Sequence, residues 1–239
     1  MTWQQRVLDR YYDRAAGWVD GTAEFHTLVA SIGVRSGAIL EIGPGPASTS
    51  TRFFATLGNV TGIDVDPEVL SNPDLHAAHV FDGGRFPLPD ATFDLVVSDY
   101  VLEHVEDPGL HFSEVSRVLK PGGAYAFRTP NRYHYVTLVS SLTPHWFHEL
   151  VANPLRGRPA DAHAPYPTVY GANSERAVRR WAARAGLGVE MLRMVEKEPS
   201  YGVRSRLLFY PFLAYERFVN SAERWGSLRA NIFAVLRRP

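Results

Sequence analysis

Short apolar runs alternate with amphipathic segments between residues 36 and 128. The runs predict strands at 38–42, 59–63, 78–81, 93–98 and 124–128, and the intervening segments predict helices at about 48–57, just after Pro67, and at about 108–119. A further helix begins after the cap residue Ser174 and stops at Gly186, with strands near 189–195 and 231–236 behind it. Strands that alternate with helices imply parallel order and right-handed crossovers. The pattern predicts a doubly wound α/β fold with a seven-stranded, mostly parallel sheet.

The segments that flank this alternating core differ from it in composition. Residues 1–32 are predicted to be helical, and Gly17 and Gly21 divide them into two helices. Residues 130–172 contain six prolines and four histidines and predict a lid, whereas residues 197–230 form a second insertion rich in aromatics and arginine. We therefore predict a single domain over 1–239, with a helical cover at 1–35, a core at 36–128, the lid at 130–172 and the C-terminal part of the sheet at 173–239.

The composition is that of a neutral chain that can bury a core. Hydrophobic residues make up 45% of the 239 residues, and 25 basic residues balance 25 acidic ones, so no basic field is available for nucleic acid. The chain has no cysteine, which excludes disulfides, thiol nucleophiles and thiolate metal sites. The first residues lack a secretion-signal profile, and no apolar run reaches the roughly 18 residues of a membrane span. We expect a cytoplasmic protein without a nucleic-acid partner.

A glycine turn at the end of the first predicted strand is the most informative motif. The strand ends in an acid, Glu41, and breaks into Gly43-Pro44-Gly45, and about twenty residues later the second strand ends in Asp64. Amides at such a turn and a carboxylate at the next strand end hold a nucleoside-bearing cofactor. A dinucleotide site needs glycine at the sixth position counted from Gly43, where this chain has Ser48. An acid beside the turn, here Glu41, is also out of place in a dinucleotide site. That carboxylate suits a cofactor with a positively charged amino acid tail.

Six stretches in order resemble class I S-adenosylmethionine-dependent methyltransferases, in particular the group with a compact core like that of quinone-biosynthesis methyltransferases. They are Leu40-Glu41-Ile42-Gly43-Pro44-Gly45, Gly62-Ile63-Asp64, Phe81-Asp82-Gly83, Phe93-Asp94-Leu95-Val96-Val97-Ser98, Val101-Leu102-Glu103-His104-Val105 and Val118-Leu119-Lys120-Pro121-Gly122-Gly123. The resemblance covers roughly residues 38–128. It implies a Rossmann-like methyltransferase fold with helical insertions and S-adenosylmethionine as cofactor.

The resemblance also implies which residues contact the cofactor. Gly43 and Gly45 would let the backbone approach the methionine part, while Glu41 would accept from its ammonium. The Asp64 carboxylate would bind both ribose hydroxyls, with Val65 beside it. An alternative role for Asp64, or for Asp66, is to cap the helix after Pro67, and we favour Asp66 as the cap.

Further cofactor contacts are implied at the next strand ends and in the N-terminal helix. Asp82 would accept from the adenine amino group beside the Gly83 amide, although an acid in an ordinary Asp-Gly turn is the alternative. Ser98 lies at the carboxyl end of strand four, where ligands of such sheets collect. Tyr12, or Tyr11, would cover the cofactor, and core packing is the competing role for either tyrosine.

His104 is the candidate catalytic base, because it follows strand four and a histidine can take a proton from a hydroxyl acceptor. Its alternative role is to orient the loop by hydrogen bonding. Some relatives bind a divalent metal through Glu-x-x-Glu-His and a later histidine, but here Tyr100 stands at the first acidic position. We therefore expect no metal site.

The two insertions supply the candidate contacts with the methyl acceptor and with larger partners. The acceptor contacts we predict are aromatic and histidine side chains of the lid, namely Tyr133, His134, His145, Trp146, His148 and Tyr170. In the second insertion, Leu208, Phe212, Tyr215 and Val219 fall on one helical stripe with arginines nearby. Core packing or a homodimer face is the favoured role of this stripe, and membrane contact is the disfavoured one.

The predicted function is methyl transfer from S-adenosylmethionine to a small-molecule, glycan- or lipid-type metabolite in biosynthesis, with an oxygen acceptor favoured. Two alternatives come from other classes of protein. One is an NAD-type oxidoreductase on the same architecture, which Ser48 and Glu41 disfavour. The other is a non-catalytic adaptor that keeps the fold, since a fold alone does not give activity.

Overall fold

A computed structural model describes residues 3–137, 167–199 and 206–239. The chain divides into two compact units. Unit 1 comprises residues 1–24, 131–166 and 194–231, and unit 2 comprises residues 25–130, 167–193 and 232–239. Unit 1 thus collects the N-terminal segment and most of both predicted insertions, whereas unit 2 contains the alternating core.

Within the described residues, seven strands form one sheet in the order β3-β2-β1-β4-β5-β7-β6. The strands are β1 Gly37–Ile42, β2 Gly58–Asp64, β3 Ala77–Val80, β4 Phe93–Asp99, β5 Leu119–Pro130, β6 Gly188–Val195 and β7 Asn231–Arg237. The pairs β1–β2, β1–β4, β2–β3 and β4–β5 are parallel. Gly122 and Gly123 exchange backbone hydrogen bonds with Arg238, which is an antiparallel pattern between the start of β5 and the end of β7. The predicted α/β fold with seven strands is confirmed.

The helices lie where the amphipathic segments predict them. They are α1 Trp3–Tyr11, α2 Gly21–Ser31, α3 Thr49–Ala55, α4 Pro108–Val118, α5 Glu175–Arg184 and α6 Arg206–Asn220, with short 3₁₀ helices at Pro67–Ser71 and Glu223–Leu228. Side chains cap several of them: Ser48 accepts from the Thr51 amide, and Ser174 accepts from the Ala177 amide. Among these described helices, none has the length and apolarity needed to span a membrane.

The core lies around β1, β4 and β5 in unit 2. Leu40, Val96 and Phe127 are fully buried there together with Phe112 of α4. Because both faces of these strands are covered, their apolar runs are nearly continuous rather than alternating. This burial holds the strands in place. Polar side chains gather instead at the carboxyl ends of the strands.

One strand boundary was predicted wrongly. Strand β5 begins at Leu119 instead of Ala124, so Lys120-Pro121-Gly122-Gly123, which follows the helix predicted to end at about 119, lies inside the strand. The β4–β5 register shifts between Phe93 and Leu95, which indicates an irregular pairing that tolerates a proline without an amide proton. The proline and glycines that follow the helix therefore belong to the start of an irregularly paired strand and not to a loop.

Aromatic side chains pack together in unit 1. Tyr12, Phe209 and Leu213 form a buried cluster with residues of α1 around it. The predicted stripe of α6 is also packed, since Val219 is fully buried and the Phe212 ring stacks on Tyr135 with centroids 5.4 Å apart. Internal packing therefore accounts for Phe212 and Val219, and the side chain of Leu208 lies outside what the structure describes.

Candidate functional site

The glycine turn after β1 requires glycine at two positions. Gly43 and Gly45 have φ angles of 73° and 62°, in the left-handed region that favours glycine. A Cβ atom at Gly43 would lie 2.5 Å from Cγ2 of Val101, so the turn packs tightly on that side. A Cβ atom at Gly45 would meet nothing within 4 Å. The turn is thus closely packed against Val101 at Gly43 and unobstructed at Gly45.

Asp64, at the end of β2, holds the turn. Its Oδ2 accepts a hydrogen bond of 2.9 Å from the Gly45 amide, and its Oδ1 accepts one of 3.0 Å from the Asp66 amide. The Asn72 side chain donates to the Gly45 carbonyl at 3.0 Å from the other side. Asp66 caps the following 3₁₀ helix by accepting from the Glu68 amide, as predicted. Asp64 keeps further acceptor positions on both oxygens, since a carboxylate has about four.

Glu41 is a buried carboxyl group with an unpartnered oxygen. The residue is 2% exposed, and its Oε2 atom has no hydrogen-bond partner among the described residues. Burial raises the pKa of Glu41 from 4.5 to about 8, although a hydrogen bond with Thr51 lowers it in part. A cationic partner at the unpartnered oxygen would favour the ionised form of Glu41.

Three further candidates lie where β2 and β3 end. Val65 is 44% exposed although it is apolar, and a Cβ atom at Gly83 would lie 3.7 Å from its Cγ1. Asp82 is exposed and its Oδ1 accepts from the Gly84 amide at 2.9 Å. Because β3, β2 and β1 are neighbours in the sheet, these residues and the glycine turn follow adjacent strand ends.

The side chain of Ser98 points into the core. Its hydroxyl is hydrogen-bonded to the Tyr125 hydroxyl at 2.8 Å, and Nε2 of His111 lies 3.0 Å from that same hydroxyl. Burial lowers the pKa of His111 to about 4, so this chain of polar groups is neutral. Ser98 pairs in register with Ile42 at the end of β1. The Ser98 hydroxyl is therefore engaged inside the core, and a contact of Ser98 with the cofactor stays a prediction.

The next residue, Asp99, belongs to a buried ion pair that sequence reasoning missed. The Arg128 guanidinium donates to both Asp99 oxygens, at 2.8 Å for the Nη2–Oδ2 contact. Oδ2 also accepts from the Ser50 hydroxyl at 2.9 Å, and His26 Nε2 lies 3.0 Å from that hydroxyl. The Arg128 guanidinium lies 4.8 Å from the centroid of the Tyr100 ring. An arginine directly after the apolar run Ala124–Phe127 was the available signal.

Replacing Asp99 with Asn should destabilise the fold strongly, because Arg128 is only 6% exposed and would lose the carboxylate to which its guanidinium donates twice. Breaking a buried pair from one side typically costs about 3–5 kcal/mol. The matched control is Glu175→Gln, which breaks the exposed pair with Arg179 and should change the free energy of unfolding by less than about 1 kcal/mol. Urea unfolding of the two variants measures both values. Equal effects would contradict the assignment of Asp99–Arg128 as a buried structural pair.

His104 lies in the loop after β4 and is oriented by a backbone carbonyl. Its Nδ1 lies 3.0 Å from the Pro167 carbonyl oxygen, and since a carbonyl only accepts, Nδ1 carries the proton of the neutral ring. This tautomer puts the basic lone pair on Nε2. The neighbouring Glu103 carbonyl accepts from the amides of Val169 and Tyr170, so the segment after residue 166 is fastened to this loop.

A series of hydrogen-bonded, buried polar side chains contacts the same loop. The Thr129 hydroxyl donates to Oε2 of Glu103 at 3.0 Å, and the Asn173 amide group donates to the Thr129 hydroxyl at 2.6 Å. Burial raises the pKa of the Glu103 carboxyl. This series joins the loop after β4, which carries His104, to β5 and to the residue before α5.

Three candidate residues lie in unit 1 and are described within it. The Tyr12 hydroxyl donates to Oε2 of Glu216 at 3.1 Å, and burial raises the pKa of this tyrosine. His134 is buried with its Nε2 3.5 Å from Oε2 of Glu196, and burial lowers its pKa to about 4. Tyr133 is 53% exposed.

The remaining acceptor candidates divide between unit 2 and the undescribed part of the lid. Tyr170 belongs to unit 2 and has a φ angle of 54°. His145, Trp146 and His148 lie outside the described residues. Among residues 3–137, 167–199 and 206–239, no group of three or more acidic or histidine side chains is arranged to hold a metal ion.

Comparisons with known proteins find similarity to methyltransferases. Residues 40–127 match a family described as "Methyltransferase domain". A probable S-adenosylmethionine-dependent methyltransferase of Mycolicibacterium smegmatis is 34% identical over 39% of this chain and 38% of its own length. A malonyl-[acyl-carrier protein] O-methyltransferase of Pseudescherichia vulneris is 32% identical over 52% of this chain and 54% of its own. The chain thus spans only about two fifths to half of these relatives.

The fold is shared with solved structures of low sequence identity. A crystal structure of an S-adenosylmethionine-dependent methyltransferase from Mesorhizobium loti aligns with a TM-score of 0.56 and 20% identity. The alignment covers 92% of this chain and 99% of that one. At this identity the likeness concerns the fold alone.

Proposed function

We propose that the protein transfers a methyl group from S-adenosylmethionine to a hydroxyl or other oxygen of a small-molecule, glycan- or lipid-type acceptor. The match of residues 40–127 to the family described as "Methyltransferase domain" supports the proposal. The observation that carries the proposal is the buried, half-partnered carboxyl of Glu41 beside an open glycine turn. An uncharged or anionic ligand would leave the charge of this buried carboxylate uncompensated. An ammonium group would compensate the charge and donate a hydrogen bond to it.

The residues present fit this cofactor. Glu41 would accept from the ammonium of the amino acid tail, and the open side of Gly45 would let that tail approach the backbone. Asp64 would bind the ribose hydroxyls through the acceptor positions that its two amide contacts leave. Bound there, S-adenosylmethionine supplies the electrophilic methyl group and its own leaving group.

The adenine end has matching residues at the next strand ends. Asp82 is exposed and would accept from the adenine amino group, with the Gly83 amide next to it. The exposed side chain of Val65 lies beside Gly83 and would cover one face of the base. The ends of β2 and β3 thus offer a hydrogen-bond acceptor (Asp82), a donor (the Gly83 amide) and an apolar contact (Val65), which together match the groups of an adenine.

His104 is the proposed base for an oxygen acceptor. The contact with the Pro167 carbonyl leaves the lone pair on Nε2, which can accept the proton that a hydroxyl loses as it is methylated. The rest of catalysis is alignment of the acceptor and exclusion of water. The Glu103–Thr129–Asn173 chain would serve this by fixing the loop that carries His104.

Calorimetry separates this proposal from the two other classes of function. We expect the protein to bind S-adenosylhomocysteine and not NADH, and Asp64→Ala to lower that affinity at least tenfold, because both ribose hydroxyls lose their acceptor. Asp66→Ala is the matched control: it removes a helix cap next to Asp64, so stability should fall by about 1 kcal/mol while the affinity stays. Binding of NADH alone would favour the oxidoreductase, and binding of neither would favour the adaptor.

A carrier-borne acceptor is a second candidate. One relative is a malonyl-[acyl-carrier protein] O-methyltransferase, which by its name methylates oxygen on an acyl group attached to a protein. An arginine-rich helix of unit 2 favours the same kind of acceptor here, since acyl carrier proteins are small, acidic and helical.

A further inference from the structure

Helix α5 carries an unbalanced positive charge in an otherwise neutral chain. Its ten residues, Glu175–Arg184, include four arginines and one acid. Arg176, Arg180 and Arg184 are all exposed and follow one another at intervals of four residues. Four residues advance a helix by about 6 Å, so the three side chains form a row of about 12 Å. We call these three residues the arginine row.

The arginine row has no acidic partner among the described residues. The one acid of the helix, Glu175, pairs with Arg179 at 2.9 Å and not with the row. Two members of the row instead flank an indole ring: the guanidinium carbons of Arg180 and Arg184 lie 4.6 Å and 5.1 Å from the Trp181 centroid. Stacking of this kind limits the freedom of the guanidinium groups, so less is lost when they meet an anion.

The row begins next to the loop that carries His104. The indole of Trp181 donates to the Gly171 carbonyl at 3.3 Å and packs against Gly109 of α4. Gly171 in turn lies against Pro108, and Asn173, just before the helix, bonds to Thr129 at the end of β5. All of these residues belong to unit 2. A partner seated on the row therefore has one end at the carboxyl edge of the sheet, where the proposed methyl transfer takes place.

We propose that the arginine row is the docking surface for a small acidic helical protein that carries the methyl acceptor on a tether. Carboxylates one helical turn apart on an acidic helix repeat at the same interval of about 6 Å, so they complement the row in spacing as well as in sign. Arginine and tryptophan together are the residues most enriched where binding energy concentrates. A nucleic acid fits less well, because the chain has 25 acidic residues against 25 basic ones. The proposal rests on the proposed methyltransferase function.

The test measures binding of a purified, malonyl-loaded acyl carrier protein to the full chain by biolayer interferometry. The triple variant Arg176→Glu, Arg180→Glu, Arg184→Glu should bind at least tenfold more weakly than the wild type, mainly through slower association. Binding by the wild type should weaken as the salt concentration rises from about 50 to 300 mM. The matched control reverses three exposed arginines elsewhere, Arg10, Arg35 and Arg224, and should bind within about twofold of wild type.

S-adenosylhomocysteine binding is measured on the same samples and should be equal in all three proteins. The inference is overturned if the carrier protein does not bind the wild type, if both triple variants lose binding equally, or if a DNA duplex binds the row as tightly as the carrier protein does. Loss of S-adenosylhomocysteine binding in the wild type would instead contradict the proposed function. The two failures are therefore distinguishable.

Discussion

Glu41→Gln should weaken S-adenosylhomocysteine binding more than tenfold at pH 8 and make the ligand-free protein more stable at that pH. The pKa of Glu41 is raised to about 8, whereas the unfolded chain has an ordinary value near 4.5. The folded state therefore holds a proton that the unfolded state releases, and stability is lost as the pH rises from about 4.5 to 8. At about 1.4 kcal/mol per pKa unit, the loss reaches up to about 5 kcal/mol, and glutamine removes it.

The same ionisation makes cofactor binding depend on pH. Only the ionised carboxylate attracts the ammonium group, so the wild-type affinity should rise by up to about tenfold per pH unit between pH 6 and 8. In Glu41→Gln this slope should vanish. Calorimetry at three pH values measures the slope, and thermal unfolding without ligand measures the gain in stability.

Glu68→Gln serves as the matched control, because it removes a carboxylate from an exposed helix start. It should leave both the pH slope and the affinity as they are in the wild type. An unchanged affinity in Glu41→Gln would contradict the role that we propose for the buried acid.

The fold of the core could be predicted because the strands are buried on both faces. Runs such as Leu95–Val97 are fully buried, and that burial leaves a continuous apolar signal in the sequence. The start of β5 could not be predicted in the same way. Proline and glycine usually end an element, and here the pairing with β7 keeps Gly122 in the sheet.

The candidate site was predictable where a residue's role depends on its place along the chain. Asp64 and Glu41 follow from strand ends and glycine spacing, and the structure puts both beside the turn. The direction of the Ser98 hydroxyl depends on a distant partner, Tyr125, which no local pattern encodes. The Asp99–Arg128 pair joins β4 to β5 across 29 residues and was missed for the same reason.

The division into two units was also beyond the sequence pattern. Unit 1 is assembled from three separate segments, and its buried contact between Tyr12 and Glu216 joins residues 204 positions apart. A tyrosine in an N-terminal amphipathic helix predicts burial against something, but the pattern does not identify the partner.

His104→Ala should lower kcat about 100- to 10,000-fold with an oxygen acceptor, while S-adenosylhomocysteine affinity stays within about twofold of wild type. The range is that expected when a general base is lost. The proton acceptor is Nε2, which the carbonyl contact at Nδ1 leaves as the basic nitrogen. Release of S-adenosylhomocysteine under single-turnover conditions is the measurement, and His79→Ala, at an exposed position of β3, is the control.

A second variant separates the base from a residue that only orients the loop. The side-chain amide of His104→Asn can still donate to the Pro167 carbonyl, as Nδ1 does, but it has no basic nitrogen at the position of Nε2. If His104 is the base, His104→Asn should be as slow as His104→Ala although its thermal stability returns toward wild type. If His104→Asn regains wild-type turnover, the histidine orients the loop and the proton leaves by another route.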